Sequence, residues 1–172
     1  MKLLVIRHAA AMDQGAFART EQSDDLRPLS AEGTREMEQV AKGLRAEIKT
    51  LDLLATSPLL RARQTADIVA DAYGIGPAEI TDLLVPGASM EEFEEWCASR
   101  GENKVVAVVG HEPHLGCLVT WLMVGRGESR IRLRKGGACL LEFESQVHRD
   151  SGTLNWLLTP RQLARNRGNA LT

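Results

Sequence analysis

"KLLVIRHAAA", residues 2–11, decides the fold. Leu3, Leu4, Val5 and Ile6 form an unbroken apolar run, the pattern of a strand covered on both faces rather than one. The run ends abruptly on Arg7 and His8, side chains that do not belong in a core and that can both hold an anion. A second run of this kind, "KVVAVVG" at 104–110, ends on His111 and Glu112. A third, "DLLATS" at 52–57, stops at Ser57-Pro58 with Arg61 just beyond.

Between these strands the apolar spacing is helical. Ser30 is placed to cap a helix running to about Lys49, with Val40, Ala41, Leu44 and Ile48 on one side. A helix is expected over 59–73, with Gly74 as its stop. Residues 89–101 read as a capped amphipathic helix with Phe93, Trp96 and Cys97 inward, and residues 111–125 as a helix with Pro113 in its first turn. A short strand and turn are expected in 78–87. The stretches 138–144 and 153–159 read as an antiparallel strand pair, 160–166 as a last short helix, and 167–172 as a frayed end. Residues 9–29 lack periodicity and read as a long loop, a feature often tied to function. Strands alternating with helices give an α/β, three-layer α/β/α sandwich with a mostly parallel central sheet, one domain over 1–172.

Composition narrows the function. The chain has 172 residues, 44% of them hydrophobic and 26% charged, with a formal net charge of −2. That balance argues against a nucleic-acid or anionic-membrane partner while leaving room for a concentrated positive pocket. Cys97, Cys117 and Cys139 are scattered without metal-ligand spacing and read as small packing residues. No stretch approaches the ~20 apolar residues of a membrane span, and the first seven residues are too short for a secretory leader, so a cytoplasmic location is expected.

Ligands of open α/β sheets bind at the carboxyl ends of the strands. Those ends carry Arg7, His8, Ser57, Arg61 and His111, and the loop 9–29 adds Asp24, Asp25 and Arg27. Guanidinium forks match phosphoryl oxygens, and a neutral imidazole can attack phosphorus if its other nitrogen donates to a fixed acceptor such as a backbone carbonyl or Ser57. The group therefore suits phosphoryl transfer.

"LVIRHAAA", "LLATSPLLRARQTA" and "VVAVVGHEP", in this order and spacing, resemble the three motif blocks of the histidine phosphatase superfamily, which has the phosphoglycerate mutase-like fold. The short length, "SDDLRPLSAEG" and "LNWLLTPRQL" are similar to its SixA-type phosphohistidine phosphatase branch. The resemblance implies that His8 is the phosphorylated nucleophile, that Arg7 and Arg61 bind phosphoryl oxygens, and that His111 donates to the same group. It further implies Arg27 at the pocket, no metal and no cofactor. It implies as substrate either phosphohistidine on a signalling protein, such as a histidine phosphotransfer domain, or a small phosphorylated metabolite. A non-catalytic phosphate-binding module is a further reading; the oligomeric state is left open. Two departures stand out. Ala9 replaces the glycine of the usual Arg-His-Gly. The stretch 81–89 lacks the glutamate acid of the mutase branches, which leaves Asp24 as the stand-in acid and favours a substrate with a labile N–P bond.

Four further expectations concern bystanders. His114 is read as exposed or as an outer contact, Trp96, Trp121 and Trp156 as core, Glu91, Glu92, Glu94 and Glu95 as a solvated acidic face, and the basic run 126–135 as a solvated loop, with guidance of an acidic protein partner or a substrate phosphate as its other reading.

Overall fold

The structure is a computed structural model that describes residues 1–101 and 104–166. The elements run β1 (Lys2–Arg7), α1 (Gln14–Ala18), α2 (Ala31–Glu47), β2 (Leu53–Thr56), α3 (Leu60–Tyr73), β3 (Glu79–Ile80) and α4 (Met90–Ala98). They continue as β4 (Val105–Gly110), α5 (His114–Val124), β5 (Ala138–Glu142), β6 (Thr153–Leu158) and α6 (Pro160–Arg165). The six strands form one sheet of order β3-β2-β4-β1-β5-β6. β3, β2, β4 and β1 are mutually parallel, and β5 and β6 add an antiparallel margin. The expected end 167–172 lies outside the described residues.

β1 shows why the opening run is continuous. Leu4 and Ile6 point to the layer built by α2, α3 and α6, packing with Val40, Leu44, Ala66 and Leu163. Leu3 and Val5 point to the layer built by α4 and α5, packing with Phe93, Leu115 and Leu118. All four are fully buried, so both strand faces gain from removal of apolar surface from water. The three-layer architecture follows directly.

Register puts the strand ends level. Arg7 pairs with Gly110 and Thr56 with Val109. One residue further, His8 N–H donates to the Gly110 carbonyl and Ser57 N–H to the Val109 carbonyl, both at 3.0 Å. Three chains therefore leave the sheet at one edge and at one height.

The loop 9–29 is more ordered than its lack of periodicity suggested. Its neck is closed by the bridge Ala11–Leu29, and Met12 N–H donates to the Pro28 carbonyl. Asp13 caps α1 through Ala16 N–H, and Phe17 anchors it in apolar surroundings; a five-residue helix is too short to leave a periodic signal. Asp24–Leu26 form a 3₁₀ turn.

The three tryptophans are half-buried and pack against the core from its margin, and two of them set the indole N–H on a carboxylate. Trp96 donates to Glu79 at 3.1 Å and Trp121 to Glu94 at 3.2 Å, which also removes Glu94 from the purely solvated acidic face. Cys97 and Cys139 are buried and Cys117 half-buried.

The loop after His8 is held by α2. Ser30 caps the helix through Gly33 N–H, and both its backbone N–H and its hydroxyl donate to the Ala10 carbonyl. Gly33 sits so close that a Cβ there would lie 2.0 Å from that oxygen. Gly33→Ala must push α2 off the segment 8–10. A cost of about 1–3 kcal/mol is expected for such overpacking, read as a lowered denaturant midpoint, together with reduced turnover because His8 moves too.

Candidate active site

At the common strand edge a cavity of about 640 Å3 opens, lined by Arg7, His8, Arg27, Arg61 and His111 among others. Five of the residues singled out in the sequence thus meet in one place, although the first and last, at 7 and 111, lie 104 residues apart. Glu112, Asp13, Pro86 and Lys135 complete much of the wall. Pro86 is the contribution of the stretch 81–89, where the expected glutamate is missing.

His8 is 6% exposed. Its Nδ1 lies 2.7 Å from the Ala9 carbonyl oxygen. A carbonyl can only accept, so Nδ1 carries the proton and Nε2 keeps its lone pair. Burial is the main reason its pKa falls from 6.5 to about 4; the Ala9 carbonyl pulls the other way, and Arg61, Arg7 and Lys135 push it further down. The imidazole is neutral at neutral pH.

The backbone leading to this acceptor is itself fixed. Ala9 N–H donates to Thr65 Oγ1 at 3.1 Å, and Thr65 donates to the Arg61 carbonyl at 2.7 Å. Gly136 N–H reaches the carbonyls of both Arg7 and His8, from a turn whose φ of 73° suits glycine. Ala9 is 2% exposed and packs in the α2–α3 layer; the non-glycine residues with positive φ among those described are Glu21 and Asp150. Alanine therefore stands in the glycine position without backbone strain.

His111, 2% exposed, faces His8 with ring centroids 5.0 Å apart. Its Nε2 lies 2.9 Å from Ser57 Oγ, while its buried Nδ1 has no partner in the protein. Burial first, then His8, Arg61, His114 and Arg7, lower its pKa to about 3. Ser57 also accepts from Leu59 N–H, so its hydroxyl is oriented by the start of α3.

Three guanidinium groups surround the pair. Arg7 donates from Nη1 to the Leu133 carbonyl at 2.8 Å. Arg61 donates from Nη1 to the Asp24 carbonyl at 2.9 Å and lies 3.2 Å from the Asp24 carboxylate. Arg27 donates from Nε to the same carboxylate at 2.7 Å and from Nη1 to the Met12 carbonyl at 2.9 Å. The buried Nε atoms of Arg7 and Arg61 have no protein partner. Donors of this kind, converging and incompletely matched, suit an oxyanion.

Asp24 is not among the residues that line the cavity. The Arg27 hydrogen bond, with Arg61 behind it, holds its carboxyl below the usual carboxylate range, so it is ionised at neutral pH and ties two arginines together. His114 is buried, not exposed: it opens α5 with its ring turned inward to the Leu83 carbonyl, and burial lowers its pKa. Among the described residues no cluster of His, Cys, Asp or Glu is gathered to hold a metal, and no helix is long and apolar enough to cross a membrane.

Sequence reasoning missed two contributors. Thr65 and Gly136 act through backbone contacts that leave no sequence pattern. The arginines of the basic run 126–135 are exposed, as a solvated loop would have them, while Leu133 is buried; the run borders the site, with Lys135 lining the cavity and Arg132 and Arg134 adding slightly to the lowering of the Arg7 pKa that burial causes. The density of charge in that run was the available signal.

Residues 3–85 match the model of the histidine phosphatase superfamily (branch 1). An uncharacterized protein of Picosynechococcus sp. is 32% identical over 95% of this chain and 99% of its own. Phosphohistidine phosphatase SixA of Escherichia coli (strain K12) is 27% identical over 95% of this chain and 96% of its own. A solved structure of the protein histidine phosphatase SixA complexed with tungstate superposes with a TM-score of 0.79 at 26% identity, covering 95% of this chain and 99% of the other. The α-ribazole phosphatase of Shigella flexneri shares the fold, with a TM-score of 0.70 at 19% identity over 93% of this chain and 97% of that one. The chain belongs to the histidine phosphatase superfamily, with SixA as a neighbour in both sequence and structure, and these likenesses support a phosphatase.

The buried imidazoles have a consequence for folding. Folded His8 and His111 titrate at about 4 and about 3, against 6.5 for an unperturbed histidine. Between those values the unfolded chain binds protons that the folded chain refuses, so stability is full above about pH 6.5 and declines as pH falls toward 4 and then 3. Urea titrations at pH 7.5 and pH 5 are expected to show a lower midpoint at pH 5, and His8→Ala is expected to flatten that dependence.

Proposed function

We propose that the chain is a protein phosphohistidine phosphatase that works through a phosphorylated His8. The observation that carries this reading is the 2.7 Å hydrogen bond from His8 Nδ1 to the Ala9 carbonyl. It leaves an unprotonated Nε2 in a pocket of guanidinium groups, the arrangement that nucleophilic attack on a phosphoryl dianion requires.

In the first step the Nε2 lone pair of His8 forms a bond to phosphorus while the N–P bond of the substrate breaks. The departing imidazole takes the bond electrons and a proton from solvent. In the second step water attacks phosphorus, the His8 N–P bond breaks, and inorganic phosphate leaves after the water gives up a proton. Arg7, Arg61 and Arg27 neutralise the phosphoryl oxygens through both steps. His111 donates Nδ1–H to the same group while the Ser57 hydroxyl donates to its Nε2. These donors are fixed before the substrate arrives, so charge is met without reorganisation.

The carboxylates support an N–P substrate. Asp24 serves as a bracket for Arg27 and Arg61 and not as the proton source. Glu112 Oε1 accepts from Leu133 N–H and Oε2 from Gly116 N–H, and Asp13 accepts from Ala16 N–H. No lining carboxyl is therefore free of a structural duty, whereas an alkoxide leaving group demands a ready acid. A leaving imidazole is protonated easily and needs none. The 26% identical SixA structure was solved with tungstate, a tetrahedral dianion shaped like phosphate, which supports a phosphoryl ligand for a protein of this fold. An intracellular signalling protein is the substrate this chemistry suits best.

Substrate profiling decides the proposal. Comparison of kcat/KM on a phosphohistidine peptide with that on sugar phosphates and phosphoserine is expected to favour the peptide; higher values on the esters would transfer the chain to the small-metabolite phosphatases. Asp24→Asn is expected to lower kcat/KM by about tenfold through misplaced arginines, without moving the acid or alkaline limb of the pH profile. Loss of the alkaline limb in that variant would restore Asp24 as the acid.

A further inference from the structure

Beside the phosphate pocket lies a second recess of about 700 Å3, and the two share Arg7 and Glu112 as a common wall. Its outer side is the segment 129–134, "SRIRLR". Burial alternates along it: Ile131 is half-buried and Leu133 is 1% exposed, both packed on the α5 layer, while Arg130, Arg132 and Arg134 are exposed. A period of two is that of extended chain, so the three guanidinium groups stand in a row. The row spans about 13 Å from Arg130 to Arg134 at extended-chain spacing.

The row is anchored from within. Leu133 N–H donates to Glu112 at 2.6 Å, the Leu133 carbonyl accepts from Arg7, and Ser129 Oγ takes Ile131 N–H at 2.9 Å and the Thr120 hydroxyl at 2.6 Å. Glu112 is the one carboxylate that lines the recess, and both its oxygens hold backbone N–H groups. Among the described residues Arg130, Arg132 and Arg134 form no ion pair. In a chain of net charge −2, three such cations beside Arg7 and Lys135 are a local concentration of positive charge that the single carboxylate of Glu112 offsets only in part.

A row of this length exceeds one phosphoryl group, and its charge exceeds what a monophosphate neutralises. It matches carboxylates distributed along a polypeptide, which meet exposed arginines in forked pairs and enter under electrostatic guidance. Resting on the phosphohistidine phosphatase reading of the adjoining pocket, we propose that the recess walled by Arg130, Arg132 and Arg134 docks an acidic protein segment that flanks the phosphorylated histidine. The site then selects substrates by the residues around phosphohistidine, acting on KM more than on kcat, and the selection weakens as salt screens the row.

The test uses two synthetic phosphohistidine peptides, one with glutamates flanking the phosphohistidine and one with glutamines there, alongside free phosphoimidazole and phosphoserine. Wild-type protein is expected to favour the glutamate peptide in kcat/KM by about tenfold, the yield of a few partly exposed ion pairs. The triple variant Arg130→Ser, Arg132→Ser, Arg134→Ser is expected to lose that preference while phosphoimidazole turnover stays within about twofold of wild type. Arg132→Glu alone is expected to turn the preference toward the glutamine peptide, which keeps the test decisive if the triple variant folds poorly. Equal kcat/KM on the two peptides with normal phosphoimidazole turnover would overturn the docking site alone, as would a preference that survives in both variants. A loss confined to phosphoserine would give the recess to small carboxylated esters and overturn it equally. Absence of wild-type turnover on phosphoimidazole and both peptides would overturn the phosphatase reading, and the docking site with it.

Discussion

An imidazole buried among arginines must remain neutral, and the arrangement around His8 depends on that constraint. Desolvation and neighbouring positive charge both oppose its protonation, and the Ala9 carbonyl, 2.7 Å from Nδ1, determines which nitrogen holds the single proton. Much of the surrounding architecture keeps that carbonyl still. Thr65 grips the same residue through the Ala9 N–H, Gly136 straps the two residues before it, and Ser30 with Gly33 fixes the residue after it. The tautomer is thus set by contacts from α2, α3 and the turn before β5, on three sides of the loop.

Placement of the partners follows from the parallel ladder. Because β1, β4 and β2 end level, His8, His111 and Ser57 leave the sheet together, and a slip of one residue would turn each side chain to the opposite face. The complete burial of Leu3 to Ile6 and of Val106 to Val109 makes such a slip costly, since it would exchange the residues facing the two apolar layers. Core packing and phosphate chemistry are therefore linked through register. The arginines are held separately: Arg61 by the first turn of α3, Arg27 by the closed loop 9–29, and both by the Asp24 carboxylate.

Much of this was legible in the sequence because burial on both faces of a strand writes a continuous apolar run, and polar residues that end three such runs mark one sheet edge. The helix caps Ser30 and Ser89 and the stop at Gly74 were legible for the same local reason. What escaped depended on non-local contacts. Helix α1 is too short to show a period, and Thr65 and Gly136 act through backbone hydrogen bonds. Of the two readings of His114, the exposed one fails because nothing local reveals that the 3₁₀ turn at Asp82–Leu84 covers it, while its closeness to His111 fits the outer contact. The tryptophans looked like core because hydrophobicity alone ignores the indole N–H. The contacts of Asp24 with arginines 3 and 37 residues away depend on how the loop folds back onto α3, which no local pattern records.

The central claim is that His8 carries the phosphoryl group during turnover. Protein mixed with phosphohistidine peptide, quenched in alkali and digested under mild conditions, allows the fragment containing His8 to be weighed by mass spectrometry. The account predicts one added phosphoryl group on that fragment, stable to base, released by acid, and absent from His8→Ala. Hydrolysis of the peptide with phosphate found on no histidine, or undiminished turnover by His8→Ala, would contradict it.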